Sequence, residues 1–311
     1  MPFSPRQVIA GLIAVATGLT LATTTGSAAQ ADARPTLPKP AVAGPGDAPL
    51  GGVVPGRTGS DIRASAEARA AHRERSLARA GKSGPGVAAA QEHPAAGTYF
   101  TSQSQSTGIR ATHSVFYGTG ERTKAGDVVY APTLMPPSNS CIEITTAYTS
   151  DAPVVWAWDW CTTSNVAKET VINASFVSTY TTSVNGLPAY SVDIEKTNAG
   201  NNTWTAYLYN FRNGTWDTFW SKSGTSQIGT PGWDVFELYV TRDPSTGRGY
   251  FCSSMAGRTF EARSIQVRLG GTYQDASSGT GASYYGGQDL TCGSGLQWTQ
   301  NNLANWSAAV H

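Results

Sequence analysis

The chain has 311 residues, with 22 Lys/Arg against 21 Asp/Glu, a net charge of +1, four histidines and four cysteines. A near-neutral chain without a clustered basic face argues against a nucleic-acid or acidic-membrane binder. His72 and His93 precede the strand-rich part and His311 is terminal, so His113 is the one internal histidine and a multi-histidine zinc site is not expected. No metal, no cofactor, no nucleic-acid partner and no membrane association are therefore expected.

The chain opens on Arg6, an apolar run from Val8 to Ala22, and the small-residue sequence Ala29-Gln30-Ala31. That is the pattern of a secretory signal over residues 1–31, cut after Ala31, and it predicts a secreted, extracellular protein. The run is ~15 residues, short of the ~20 needed to span a bilayer. Residues 32–96 carry nine Lys/Arg against six Asp/Glu, are rich in Ala, Pro and Gly, and hold few large apolar side chains. They cannot bury enough surface to offset their ordering entropy, so they read as a linker or propeptide. Within them, residues 61–80 have good helix formers, an N-cap at Ser60 or Asp61 and a stop at Gly81. Two readings stay open: a solvated helix in a tether, or a pro-segment removed near residues 92–97.

From about Gly97 the composition turns to Thr, Ser, Tyr, Trp, Val and Gly, in short alternating runs broken by turn signals. Strands are predicted at 112–118, 127–131, 141–149, 153–161, 169–182, 188–196, 202–211, 215–221, 233–241, 248–253, 258–269 and 283–291. Asn185-Gly186 and Asn213-Gly214 suit type I′ hairpin turns. Many short strands without alternating helices predict one all-β domain over 97–311, an antiparallel β-sandwich preceded by a disordered or helical N-terminal segment. An even number of cysteines in an oxidising compartment favours two disulfides. Of the three possible pairings, Cys141–Cys161 and Cys252–Cys292 are favoured because each brackets a short hairpin or terminal loop.

Chemistry concentrates in Cys141-Ile-Glu-Ile-Thr-Thr-Ala-Tyr148 and Val155-Trp-Ala-Trp-Asp-Trp-Cys161. On the second of these, Trp156, Trp158 and Trp160 project to one face at period two, as a core wall or a ligand platform. Glu143 lies among apolar and Thr neighbours, partly desolvated, a condition suited to acid/base work. Gly232-Trp-Asp-Val-Phe-Glu-Leu-Tyr239 offers Asp234 and Glu237 on opposite faces of one strand, so only one of them can share a cleft with Glu143.

In this order, CIEITTAY, VWAWDWC, VDIEKTNAGNNTWTAYLYNFRNGTWDTFW and GWDVFELY resemble the glutamic peptidases, eqolisins and neprosins, over roughly residues 141–240. The resemblance implies a concanavalin-like jelly roll in which a carboxylate, paired with Gln in eqolisins or a second Glu in neprosins, activates water against a peptide bond. Glu143 falls where eqolisins place their Gln and neprosins their first Glu. Trp156, Trp158 and Trp160 match the aromatic strand that helps bind substrate, and Trp233 matches the tryptophan beside the second acid. That second acid departs from the pattern: the eqolisin position is Gly232 and the neprosin position is Phe236. The nearest carboxylates are Asp234, with the matching face parity, and Glu237, which would need a bulge.

The function expected is thus a secreted, glutamic-peptidase-like hydrolase, a monomer acting on polypeptide and favoured by acidic pH. Two alternatives stand beside it. One is a non-catalytic carbohydrate-binding sandwich whose Trp156, Trp158, Trp160, Trp204, Trp216 or Trp220 stack on a glycan. The other is a glycoside hydrolase with carboxylates ~5–5.5 Å or ~6.5–9.5 Å apart. A serine nucleophile would have to run through His113, and no Gly-x-Ser-x-Gly elbow precedes a helix.

Overall fold

The computed structural model describes residues 92–101, 105–118, 123–159, 161, 165–225, 231–286 and 289–311. The predicted signal sequence, the helix predicted at residues 61–80 and Trp160 fall outside the described residues. Sixteen strands are described: β1 (Ala95–Phe100), β2 (Ser106–Ser114), β3 (Val128–Met135), β4 (Ile142–Tyr148), β5 (Pro153–Asp159), β6 (Asn165–Val171), β7 (Thr181–Val184), β8 (Leu187–Asn198), β9 (Thr203–Asn210), β10 (Thr215–Ser223), β11 (Gly232–Tyr239), β12 (Thr259–Leu269), β13 (Thr272–Asp275), β14 (Ala282–Tyr285), β15 (Leu296–Asn302) and β16 (Asn305–Val310). Two short helices, α1 (Ala174–Tyr180) and α2 (Phe251–Ser254), interrupt them.

The strands form two antiparallel sheets. The first runs β14-β1-β11-β3-β4-β5-β6, and the second runs β10-β9-β8-β2-β12-β16-β15, with β13 on β12 and β7 on β8. This is the all-β sandwich expected from the strand pattern. Alternation along each strand sorts the side chains by face. Ile142, Ile144, Val155, Ala157, Phe236 and Leu238 of the first sheet join Ile109, Val192, Trp204 and Trp306 of the second in the inter-sheet core. The first sheet has a second apolar layer on its other face, formed by Tyr99, Tyr130, Trp156, Trp158, Trp233 and Tyr239.

Both Asn-Gly turns lie where the sequence puts them. Asn185 (φ 50°) and Gly186 (φ 80°) join β7 to β8, the positive pair that a type I′ turn demands. Gly214 (φ 70°) closes the β9–β10 hairpin. The run at 169–182, predicted as one strand, is β6, then α1, then β7. Asn173 caps the helix by accepting from the Phe176 N–H at 3.0 Å, so a local cap overrides the β-propensity of Ser, Val and Thr. Residues 248–253, also predicted as a strand, turn into α2 instead.

The two disulfides are Cys141–Cys161 and Cys252–Cys292, the favoured pairing. The second joins residues 40 apart in sequence. Constraining a loop of that length removes enough unfolded-state freedom that Cys252→Ala with Cys292→Ala is expected to cost about 4 kcal/mol. Guanidinium unfolding of the double variant beside the native chain checks this, and an unchanged midpoint would show that the bridge contributes nothing. Among the described residues no helix is long and apolar enough to cross a membrane.

Candidate active site

Glu143 sits on β4 with its side chain on the outer face of the first sheet and is fully buried. Its place follows from register. Leu134 lies opposite Ile144, which sets Met135 beside Glu143, and Trp233 pairs with Met135 from the far side of β3. Tyr99 pairs with Trp233 and Trp158 pairs with Glu143. The result is a cross-strand row of Tyr99, Trp233, Met135, Glu143 and Trp158, a carboxylate set among aromatic rings.

Two donors converge on one oxygen. The Trp233 indole N–H donates to Glu143 Oε1 at 2.8 Å, and the Thr133 hydroxyl donates to the same atom. Thr133 Oγ1 is also 3.0 Å from Thr145 Oγ1. Because the single Thr133 proton is committed to Glu143, Thr145 donates to Thr133, giving a hydroxyl chain from Thr145 through Thr133 to the carboxylate. The sequence reading missed Thr133. It reaches this face through a bulge in β3, where Tyr130 to Thr133 spans three steps against two from Val235 to Glu237 on β11. Thr145 was within reach of sequence reasoning, being two residues from Glu143 on the same strand.

Asp234 does not join Glu143. With Trp233 facing outward to Glu143, alternation turns Asp234 inward, between the sheets. There it is fully buried, its Oδ2 2.9 Å from His113 Nε2 and its Oδ1 accepting from the Trp306 indole at 3.0 Å. His113 Nδ1 lies 3.4 Å from the Tyr190 hydroxyl, which bonds Thr146 at 2.9 Å. Burial pushes the Tyr190 phenol above its ordinary range. The internal histidine is therefore part of a polar chain across the core, and its partners are Asp234 and Tyr190 rather than a serine.

Glu237 does face the same side as Glu143, by plain alternation from Trp233; the bulge lies in β3, not in its own strand. It is four residues further along β11 than Trp233, about 13 Å in the strand direction. Its Oε1 accepts from the Tyr239 hydroxyl at 3.2 Å, which holds it away from the Glu143 row. A separation of that order exceeds the ~5.5–9.5 Å span of paired glycosidase carboxylates.

Gly232 explains why no acid stands in front of Trp233. A Cβ built there would lie 2.4 Å from the Pro137 nitrogen, 2.6 Å from the Met135 carbonyl oxygen and 2.7 Å from the Pro136 carbonyl carbon. All three are backbone atoms and cannot swing aside. Gly232→Ala is accordingly expected to destabilise by about 1–3 kcal/mol, the cost of overpacking, and Gly232→Glu to create no second acid. Thermal unfolding of Gly232→Ala is the check; a melting temperature equal to the native value would mean that the strand has room.

Trp156 and Trp158 are on one face as expected, both buried, with their rings edge-to-face at 5.7 Å. The Trp156 indole donates to Glu169 on β6. Of the tryptophans proposed to stack on sugars, Trp204 belongs to the inter-sheet core and Trp220 packs against it. Trp216 is half-buried on the β9–β10 hairpin, 5.2 Å from the Tyr209 ring.

Among solved structures, the chain is similar to scytalido-glutamic peptidase with a transition state analog inhibitor, at 12% identity and a TM-score of 0.42, over 71% of this chain and 100% of that one. It is similar to SCP-B, a member of the eqolisin family of peptidases, in a complex with the tripeptide Ala-Ile-His, at 12% identity and a TM-score of 0.39 with the same coverage. A third is the CBM2 module of Lactobacillus casei BL23 phage J-1 evolved Dit, at 12% identity and a TM-score of 0.25, over 47% of this chain and 64% of that one. No family model matches the sequence, and no curated protein matches it.

Proposed function

We propose that the outer face of the first sheet is the substrate site of a secreted hydrolase of the glutamic-peptidase kind, with Glu143 as its general base and polypeptide as its substrate. The observation that carries this reading is the two-donor fixation of Glu143 Oε1 by Thr133 and Trp233 within a row of aromatic side chains. The Glu143 carboxylate takes a proton from water as the water attacks the scissile carbonyl, and returns it to the leaving amine. Trp156, Trp158 and Trp233 supply the apolar surroundings of the carboxylate. Neither Asp234 nor Glu237 acts in this step, the first for its face and the second for its distance. Secretion is proposed from the signal-like residues 1–31 together with the two disulfides.

The test is hydrolysis of a denatured protein by the purified chain across the acid to neutral range, beside Glu143→Gln. Acid-range cleavage that disappears in the variant supports the reading. The rival is a non-catalytic glycan-binding sandwich, favoured by the absence of a second carboxylate in the Glu143 row among the described residues. No cleavage at any pH, with retention on an insoluble polysaccharide, would establish the rival instead.

A further inference from the structure

The turn between Arg242 and Gly249 carries two arginines in opposite circumstances. It is closed by the Asp243 N–H donating to the Arg248 carbonyl at 2.7 Å and the Gly247 N–H donating to the Asp243 carbonyl at 2.8 Å. Arg242 is fully engaged: it donates to Glu92 at 2.5 and 2.8 Å, to Asp289 at 2.8 Å and to the Gly247 carbonyl at 2.7 Å. Arg248 has no side-chain hydrogen bond or ion pair among the described residues, and its Nε is buried. Its guanidinium rests against Gly295, where an added Cβ would fall 1.8 Å from Nη2 and 2.7 Å from Cζ.

Arg248 lines a cavity of about 330 Å³ together with Asp243, Thr246, Tyr250, Ser253 and His311. The donors and acceptors around it are unevenly spent. Ser253 Oγ donates to the Tyr250 carbonyl at 3.0 Å, and Asp243 Oδ1 accepts from the Ser245 N–H and hydroxyl at 2.8 and 2.7 Å. Those bonds from Ser245, aided by Lys124, hold the Asp243 carboxyl below the usual carboxylate range. Thr246 Oγ1 accepts from the Arg248 N–H at 3.2 Å, which leaves its own proton to give. A second cation stands at the wall, with Lys124 Nζ 4.0 Å from the Tyr250 ring centroid.

The neighbouring backbone is held in a costly shape. Thr291, β-branched, has φ 68°, a conformation that such residues adopt only when their surroundings impose it. Its carbonyl accepts from Gly249 at 2.8 Å, its Oγ1 is buried without a partner among the described residues, and the next residue, Cys292, is tied to Cys252. A partly desolvated guanidinium with no hydrogen-bonded or ion-paired carboxylate among the described residues, beside a strained and cross-linked segment, is an arrangement that a ligand would complete.

We propose that this cavity binds a small oxyanion, with Arg248 as the anchoring cation and the Thr246 and Tyr250 hydroxyls as further donors. The planar fork of a guanidinium matches two oxygens of a phosphate, sulfate or carboxylate group. The volume is at the lower end of small-molecule sites, about 300–1,000 Å³, room for such a group with a short organic body.

Isothermal titration of the full chain with inorganic phosphate, sulfate and acetate, at ionic strength balanced with sodium chloride, tests it. Saturable one-to-one binding of at least one anion is expected; preference for phosphate and sulfate over acetate identifies a tetrahedral group, and the reverse identifies a carboxylate. Arg248→Met is expected to weaken binding about 10–100-fold, the worth of a charge-assisted bond. Gly295→Ala keeps the charge but displaces the guanidinium, and is expected to weaken binding about tenfold; it carries the test if Arg248→Met fails to fold. Absence of saturable binding by all three anions, or equal affinity in the folded variants, overturns the proposal.

Discussion

Glu143→Gln is expected to lower peptide-bond hydrolysis about 10²–10⁴-fold, the contribution of a positioned general base, while leaving the melting temperature at or above the native value. The two expectations separate chemistry from folding. A Gln side chain keeps a carbonyl oxygen where Oε1 stands, so the Thr133 hydroxyl and the Trp233 indole retain an acceptor. It also keeps the volume and shape of a fully buried side chain, so the packing around it need not change. What Gln cannot do is take a proton from water. Rates on a denatured protein and a calorimetric scan of both proteins decide the matter: native-level hydrolysis by Glu143→Gln would remove Glu143 from the chemistry altogether.

The second large effect is on stability. His113→Leu is expected to cost about 3–5 kcal/mol, the loss on removing one partner of a buried, hydrogen-bonded pair. The histidine and the aspartate are both fully buried and lie on opposite sheets, so their 2.9 Å contact spans the sandwich. For a domain of this size the loss corresponds to a fall of roughly 6–20 °C in melting temperature. Trp306 still donates to Asp234 and moderates the loss. Adding Asp234→Asn replaces the stranded carboxyl by an amide, so the double variant should be more stable than His113→Leu alone. Were the two losses simply to add, the pair would not be coupled.

The local features were legible in the sequence. Each Asn-Gly turn needs only its own two residues, and each disulfide joins the ends of a short segment. Glu143 and the Trp156/Trp158 face follow from period-two alternation within one strand. What the sequence concealed depends on how strands pair. The parity argument carried Asp234 towards the cleft because it took the resemblance's spacing before Trp233 as the guide; in the structure the Trp233 indole satisfies Glu143, and Asp234 is turned to the interior by the same alternation. Thr133 depends on the β3 bulge, which no local pattern announces. β15, whose residues are largely Gln, Asn and Thr, lacks the alternation that marks a strand, although its Trp298 stacks on Trp306 of β16 at 5.2 Å.

The position of β1 bears on how the chain could be shortened. This first described strand is an interior one, held by β11 on one side and β14 on the other. Its anchorage begins before the strand proper: Glu92 exchanges backbone hydrogen bonds with Val240 at 2.8 and 3.1 Å, and its carboxylate grips Arg242. A protease trimming the upstream residues must therefore stop short of Glu92. Cleavage a few residues further on would unzip β11 from its neighbour and release the strand that bears Trp233. The anchorage of the described strands thus begins in hydrogen bonds several residues upstream of where composition alone changes.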